Sequence, residues 1–105
     1  MAFALTDKKS FEKIRDAGKK AGIDVKELDV TRIDSSDSFY VIDYTHTYGI
    51  GLAKKIRAEN PTAKIIIFYP KIRSYVKSEV EKMNCTPVEA SDFFSKIKDV
   101  MKGKV

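Results

Sequence analysis

Phe39-Tyr40-Val41-Ile42-Asp43, the loop from Tyr44 to Gly51, and Leu52-Ala53-Lys54-Lys55-Ile56-Arg57 together decide the fold. The first five residues are an aromatic and β-branched run that ends on a carboxylate, the pattern of a strand buried on both faces of a parallel sheet. Gly49 and Gly51 close the loop. After it Leu52, Ala53 and Ile56 share one helical face, with Lys54, Lys55, Arg57 and Glu59 elsewhere. The stretch therefore reads as strand, loop and helix, with Asp43 at the carboxyl end of the strand. In open α/β sheets that end is where ligands bind. Asn60-Pro61 stops the helix, because proline lacks the amide donor and turns the residue before it away from helix.

Working outward, Ile65 to Tyr69 has no polar interruption and predicts a second strand buried on both faces, closed by Pro70. Tyr75 or Val76, Val80 and Met83 predict a helix from Ser74 to Met83, which Asn84 caps. Pro87 to Ala90 is a short last strand. Ser91 is the expected N-cap of a closing helix with the apolar stripe Phe93, Phe94, Ile97, Val100 and Met101. Toward the N-terminus, Phe3 to Leu5 predicts a first strand. Ser10 to Ala21 predicts an amphipathic helix that Gly22 stops, and Ile23 to Val30 alternates as a half-buried edge strand. Thr31 to Ser38 is polar, with Ile33 as its one apolar anchor, and reads as a loop or a single helical turn. Five strands alternating with four helices imply a parallel sheet with helices on both faces.

The length of 105 residues suits one domain spanning 1–105, with a single core. No apolar run approaches the roughly 18 residues of a membrane span. Met1 to Asp7 is too short and too soon charged for a secretory leader. One cysteine, Cys85, excludes an internal disulfide framework and suits a reducing, cytoplasmic setting. A lone His46 with a lone Cys85 makes no zinc site of the Cys/His kind. The net charge of +5 is carried by lysines interleaved with acids along every predicted helix. That is the pattern of a solvated surface, so nucleic acid is not the expected partner.

From Phe39 onward the chain resembles the receiver domain of two-component response regulators, the CheY-like fold. The match is in spacing: the acceptor aspartate of that family ends the third strand, and a Gly-Leu pair opens the next helix eight residues later, as Gly51-Leu52 does after Asp43. Gly51 to Pro61 and Ala63 to Ile67 follow the family's third helix and fourth strand without a gap. The resemblance covers about two thirds of the chain. It implies a three-layer, flavodoxin-like fold with a five-stranded parallel sheet in the order 2-1-3-4-5, here with a shortened second helix. It also implies that the chain is not an enzyme beyond accepting a phosphoryl group on Asp43 from a phosphohistidine donor. Magnesium, held by Asp7 and Asp43, would neutralise the charge of the transferring oxygens.

Several positions depart from the family pattern. Thr6 and Lys8 flank Asp7 where a second first-strand acid is expected, and His46-Thr47 stands where a Met-Pro pair is common. Tyr69 falls at the switch hydroxyl. No lysine occurs between Thr86 and Ser95, which removes a charge-assisted hydrogen bond to phosphate worth ~1.5 to 3 kcal/mol. Lys71 and Arg73, just past the fourth strand, are the cations placed to replace it. Tyr69 and Tyr75 lie toward the face that receivers commonly use for partners, or else finish the edge of the core. The resulting expectation is an atypical receiver that acts through protein contacts with a kinase, an output protein or a second copy of itself. Two other classes compete with it. A Toprim-like metal-dependent phosphotransfer or nuclease domain needs an Asp-x-Asp pair, where this chain has Asp43-Tyr44-Thr45. A basic nucleic-acid-binding domain would use Lys54, Lys55 and Arg57 beside Lys71, Arg73 and Lys77.

Overall fold

In the computed structural model, which describes residues 2–29, 39–71 and 74–102, the central strand is β3, Phe39–Asp43. It pairs in parallel with β1 (Ala2–Leu5) on one side and β4 (Lys64–Tyr69) on the other. β2 (Val25–Glu27) and β5 (Thr86–Glu89) take the edges, giving the five-stranded parallel order β2-β1-β3-β4-β5. This is the expected order, and the unalternating runs are central as their composition requires. Tyr40, Val41, Ile42, Ile66 and Ile67 are fully buried. Each such aliphatic side chain contributes about 1.5 to 3 kcal/mol of burial.

Helices cover both faces of the sheet. On one face α2 (Gly49–Glu59) and α3 (Ser74–Lys82) bury Leu52, Ala53, Ile56, Val76 and Val80 against Tyr40, Ile42, Ile65, Ile67 and Tyr69. On the other, α1 (Lys8–Lys20), α4 (Ala90–Ser95) and α5 (Ile97–Met101) bury Ile14, Phe93, Val100 and Met101 against Val41, Ile66 and Phe68. Phe68 and Phe93 stack at 4.7 Å between ring centroids, with Phe94 edge-on to both, which fixes α4 over β4. Gly22, at φ 77°, and Asn84, at φ 58°, supply the left-handed turns after α1 and α3. No helix of the described residues is long and apolar enough to cross a membrane.

Most boundaries differ from the sequence reading by one or two residues, and the larger differences fall in β2, α2 and the closing helix. β2 is three residues long rather than the alternating run from Ile23, because the turn at Ala21-Gly22 precedes it and its partner β1 offers only Ala2 to Ala4 for pairing. α2 begins at Gly49, inside the expected loop, with its first turn closed by Leu52 N–H donating to the Tyr48 carbonyl at 2.9 Å. The closing helix starts at Ala90 with Glu89, not Ser91, at the N-cap position. It then breaks at Lys96, whose N–H donates to the Asp92 carbonyl at 3.0 Å, an acceptor shared with the Ser95 hydroxyl at 3.1 Å. The expected short second helix over Thr31 to Ser38 lies outside the described residues, as does Arg73.

Candidate functional site

Parallel pairing brings the carboxyl ends of β1, β3 and β4 to one edge. Leu5 pairs with Ile42 and Asp43 with Phe68, so the residues that follow each strand converge there. Asp43 and Asp7 lie side by side through a residue that the sequence reading passed over. The Thr6 hydroxyl is 3.1 Å from Asp43 Oδ2 and 3.2 Å from Asp7 Oδ1. Thr6 is the buried polar residue of the described chain, 8% exposed. A hydroxyl has one proton to donate, so Thr6 serves the two carboxylates alternately.

The other oxygen of Asp43 is also taken. Asp43 Oδ1 accepts the Thr45 N–H at 2.9 Å and the Thr45 hydroxyl at 2.7 Å. These bonds form an aspartate turn that orients the carboxylate from its own loop. The Asp43 carbonyl accepts the His46 N–H at 3.1 Å, and α2 abuts that carbonyl so closely that a Cβ on Gly49 would overlap its oxygen. Glycine at 49 is what lets the helix start against the strand end. Asp7 is exposed and caps α1. Ser10, through its side chain first and then its N–H, which donates at 3.3 Å, holds the Asp7 carboxyl below its usual value of 3.8.

Tyr44 continues the strand edge outward. Its N–H donates to the Phe68 carbonyl at 2.9 Å, and its hydroxyl donates to Glu79 Oε2 on α3 at 3.2 Å. Burial, and then the nearby Glu79 carboxylate, push the Tyr44 phenol above 10.0. Beside it Tyr69, Pro70, Lys71, Tyr75 and Val76 line a cleft of about 270 Å³, with Thr45 at its rim. The two tyrosines considered for partner contact separate here. Tyr69 is 4% exposed and finishes the core, its phenol raised by burial first and then by Glu89, Asp92 and Glu81. Tyr75 is 61% exposed and stands free on α3. Lys71 is exposed at the mouth of the cleft.

Four contributors escaped the sequence reading. Thr45 had a local signal, a hydroxyl two residues after an aspartate at a strand end. Thr6 had the weaker one of adjoining Asp7. The Tyr44–Glu79 bond spans 35 residues and the contact of Gly49 with the Asp43 carbonyl depends on helix placement, so neither had one. Cys85 is buried, its thiol pushed up by burial and lowered in part by Arg57. Among the described residues no three acids, histidines or cysteines gather as a metal cluster.

No protein-family model matches the sequence, and no curated protein matches it. Solved structures do. The chain is similar to the chemotaxis protein CheY4 of Vibrio cholerae, with TM-score 0.78 and 10% identity over 99% of this chain and 97% of that one. It is similar to the receiver domain of the Francisella response regulator 1452, with TM-score 0.75 and 19% identity over 98% and 93%. A Burkholderia pseudomallei response regulator with a phosphorylated aspartic acid, calcium ion and citrate gives TM-score 0.75 at 12% identity, over 95% of this chain and 65% of that one. At such identities the likeness is one of architecture: the chain has the CheY-like receiver fold.

Proposed function

We propose that this chain is an atypical receiver-like signalling domain that works through protein contacts, with Asp43 kept at the acceptor position as a hydrogen-bonded carboxylate rather than a phosphoryl acceptor. One observation carries the reading: the buried Thr6 hydroxyl lies between Asp43 and Asp7, where a receiver would have a second acid. Phosphoryl transfer to a carboxylate needs positive charge to neutralise the transferring oxygens. Thr6 and Thr45 supply protons for hydrogen bonds but no such charge. They satisfy the carboxylate in its resting state with neutral donors alone.

The same geometry defines what a magnesium ion would meet. Asp7 and Asp43 would be its ligands, and its chemistry would be to neutralise phosphate oxygens. Magnesium demands near-octahedral oxygen ligation. Here two carboxylates are present, Asp43 bonded by Thr45 and Asp7 by Ser10 with the single Thr6 proton serving either, and each keeps lone pairs for a metal where Thr6 stands in place of a further acid. The Toprim-like alternative gains nothing from the loop, since Thr45 donates to Asp43 where that chemistry needs a second acid. The protein contacts are assigned to the cleft beside Asp43 and to the exposed Tyr75 at its edge, for a kinase, an output protein or a second copy. Lys71 is the cation that such a partner meets first.

Incubation of the wild type and Asp43→Asn with a small phosphodonor and Mg²⁺, followed by intact-mass measurement, tests the reading. Neither protein is expected to gain a phosphoryl group. Labelling of the wild type that Asp43→Asn abolishes overturns the proposal and makes Asp43 a working acceptor.

A further inference from the structure

We propose that the outer face of α1 and α5 is a docking surface for a nucleic-acid phosphate backbone, held by charge without readout of base sequence. α1 carries Lys8, Lys9, Lys13, Arg15, Lys19 and Lys20 against Glu12 and Asp16. Residues 90–102 add Lys96, Lys98 and Lys102 against Asp92 and Asp99. Nine cationic and four anionic side chains give these two segments +5, equal to the net charge of the whole chain. On the opposite face α2 and α3 carry Lys54, Lys55, Arg57, Lys77 and Lys82 against Glu59, Glu79 and Glu81, a balance of +2.

The segments are neighbours in space. Lys13 Nζ lies 5.4 Å from the centroid of the Phe94 ring on α4, and a Cβ on Gly18 of α1 would lie 3.5 Å from Met101 Cε of α5. The two contacts run in the same order along both segments, so the segments lie side by side in parallel, which brings Lys9, Lys13 and Lys20 of α1 to the flank that adjoins residues 90–102. All eight lysines are exposed. Among the described residues none of them has a carboxylate within ion-pair distance, while Arg15 pairs with Asp16 at 3.5 Å. The two segments therefore keep a net surplus of positive charge after their own four acids are counted. The interleaved acids hide it in the linear sequence, and the fold exposes it by laying residues 8–20 against residues 90–102.

The character of the face selects the partner. Protein interfaces are poor in lysine and rely on aromatic anchors. The large hydrophobic residues exposed in the described chain are Tyr48 and Tyr75, both on other elements. Helices that lie in a bilayer surface insert apolar side chains, and Ile14 and Ala17 of α1 are already packed in the core. A phosphodiester backbone needs only spaced point charges. At 1.5 Å per residue α1 is about 20 Å long, which matches roughly six nucleotides of one strand.

Fluorescence anisotropy of the full chain with labelled mixed-sequence oligonucleotides of about 20 nucleotides, single- and double-stranded, at about 20 to 200 mM salt, tests this. Sequence-independent binding that weakens steeply with salt is expected. Reversing Lys9, Lys20 and Lys98 together to glutamate should weaken it at least ~10-fold and lower the salt slope by about 3. Reversing Lys54, Lys55 and Lys77 makes the same change in total charge on the opposite face, and should cost less than about threefold. Circular dichroism checks the fold of each variant, and the corresponding glutamine variants replace any that unfold. Equal losses from the two sets overturn the proposal, as does no oligonucleotide binding by the wild type at the lowest salt. Binding to phosphatidylserine vesicles without oligonucleotide binding overturns it in favour of a membrane surface.

Discussion

Alanine at Gly49 and alanine at Gly51 should change stability in opposite directions, although the glycines are two residues apart in one helix. A Cβ at Gly49 overlaps the Asp43 carbonyl oxygen and comes within 3.3 Å of Ile42 Cγ2. That oxygen accepts the His46 N–H at 3.1 Å, so it moves only if the loop carrying His46 moves with it. Overpacking of this kind costs about 1 to 3 kcal/mol, and an obstacle made of backbone belongs in the upper half of that range. Helix propensity favours alanine by about 1 kcal/mol at most. The net effect of Gly49→Ala is a loss of about 1 to 2 kcal/mol. Gly51 is exposed with nothing within 4 Å of its ideal Cβ, so only the propensity gain of up to about 1 kcal/mol remains. At roughly 4 to 8 °C per kcal/mol the two variants should melt well apart. Urea unfolding followed by circular dichroism measures the difference, with m unchanged if only the native state is affected. Amide resonances of Asp43 and Tyr44 should shift in Gly49→Ala and stay in place in Gly51→Ala. A Gly49→Ala protein as stable as Gly51→Ala would refute the claim that α2 is seated on the Asp43 carbonyl.

Other perturbations test the contacts around this edge and the opposite one. Arg57 reaches the carbonyls of Asn60 and Pro61 with one terminal nitrogen, at 3.3 and 2.9 Å, and that of Asn84 with the other, at 2.8 Å. Arg57→Ala should lose about 2 to 3 kcal/mol in urea unfolding, and Arg57→Lys should recover less than half, because an ammonium cannot span the fork. Tyr44→Phe should lose about 1 kcal/mol at neutral pH. The Tyr44 phenol is raised in the fold, so its contribution is complete below the unfolded value near 10 and is lost as pH rises through the folded one. The gap between wild type and Tyr44→Phe should close in alkali. Asp7→Ala should show the reverse in acid, since the Asp7 carboxyl is lowered in the fold. Its contribution is present above the unfolded value of about 4 and disappears as pH falls through the lowered folded value, so the gap between wild type and variant should close with increasing acidity.

The fold was legible because its determinants are local. Ile65-Ile66-Ile67-Phe68-Tyr69 admits no alternation and so no exposed face, and it became β4, buried from Ile65 onward. Pro61, Gly22 and Asn84 marked helix ends through backbone chemistry that operates whatever surrounds them. Misplaced boundaries had tertiary causes. α2 starts at Gly49 because that glycine can touch the Asp43 carbonyl. Pro87 did not prevent β5 from forming because β5 is an edge strand, where a missing amide donor leaves no inner ladder bond unmade.

The site was legible in position and illegible in wiring, and the difference bears on what Asp43 does. A carboxylate at the end of a run such as Phe39 to Ile42 announces its own location. Whether it is poised for chemistry depends on its neighbours' charges, and those come from β1, from the loop after β3 and from α3. At Asp43 the neighbours are hydroxyls. Thr6 stands on β1's continuation and Thr45 on the loop, each with a proton directed at the carboxylate. The tyrosine next to it is tied to Glu79 rather than free to follow an incoming phosphate. Lys8 and Lys9 follow Asp7 at the start of α1, yet the side chains that hydrogen-bond Asp43 are those of Thr6 and Thr45. The carboxyl edge of the sheet, where open α/β folds bind ligands, therefore presents in this molecule a carboxylate held by neutral donors.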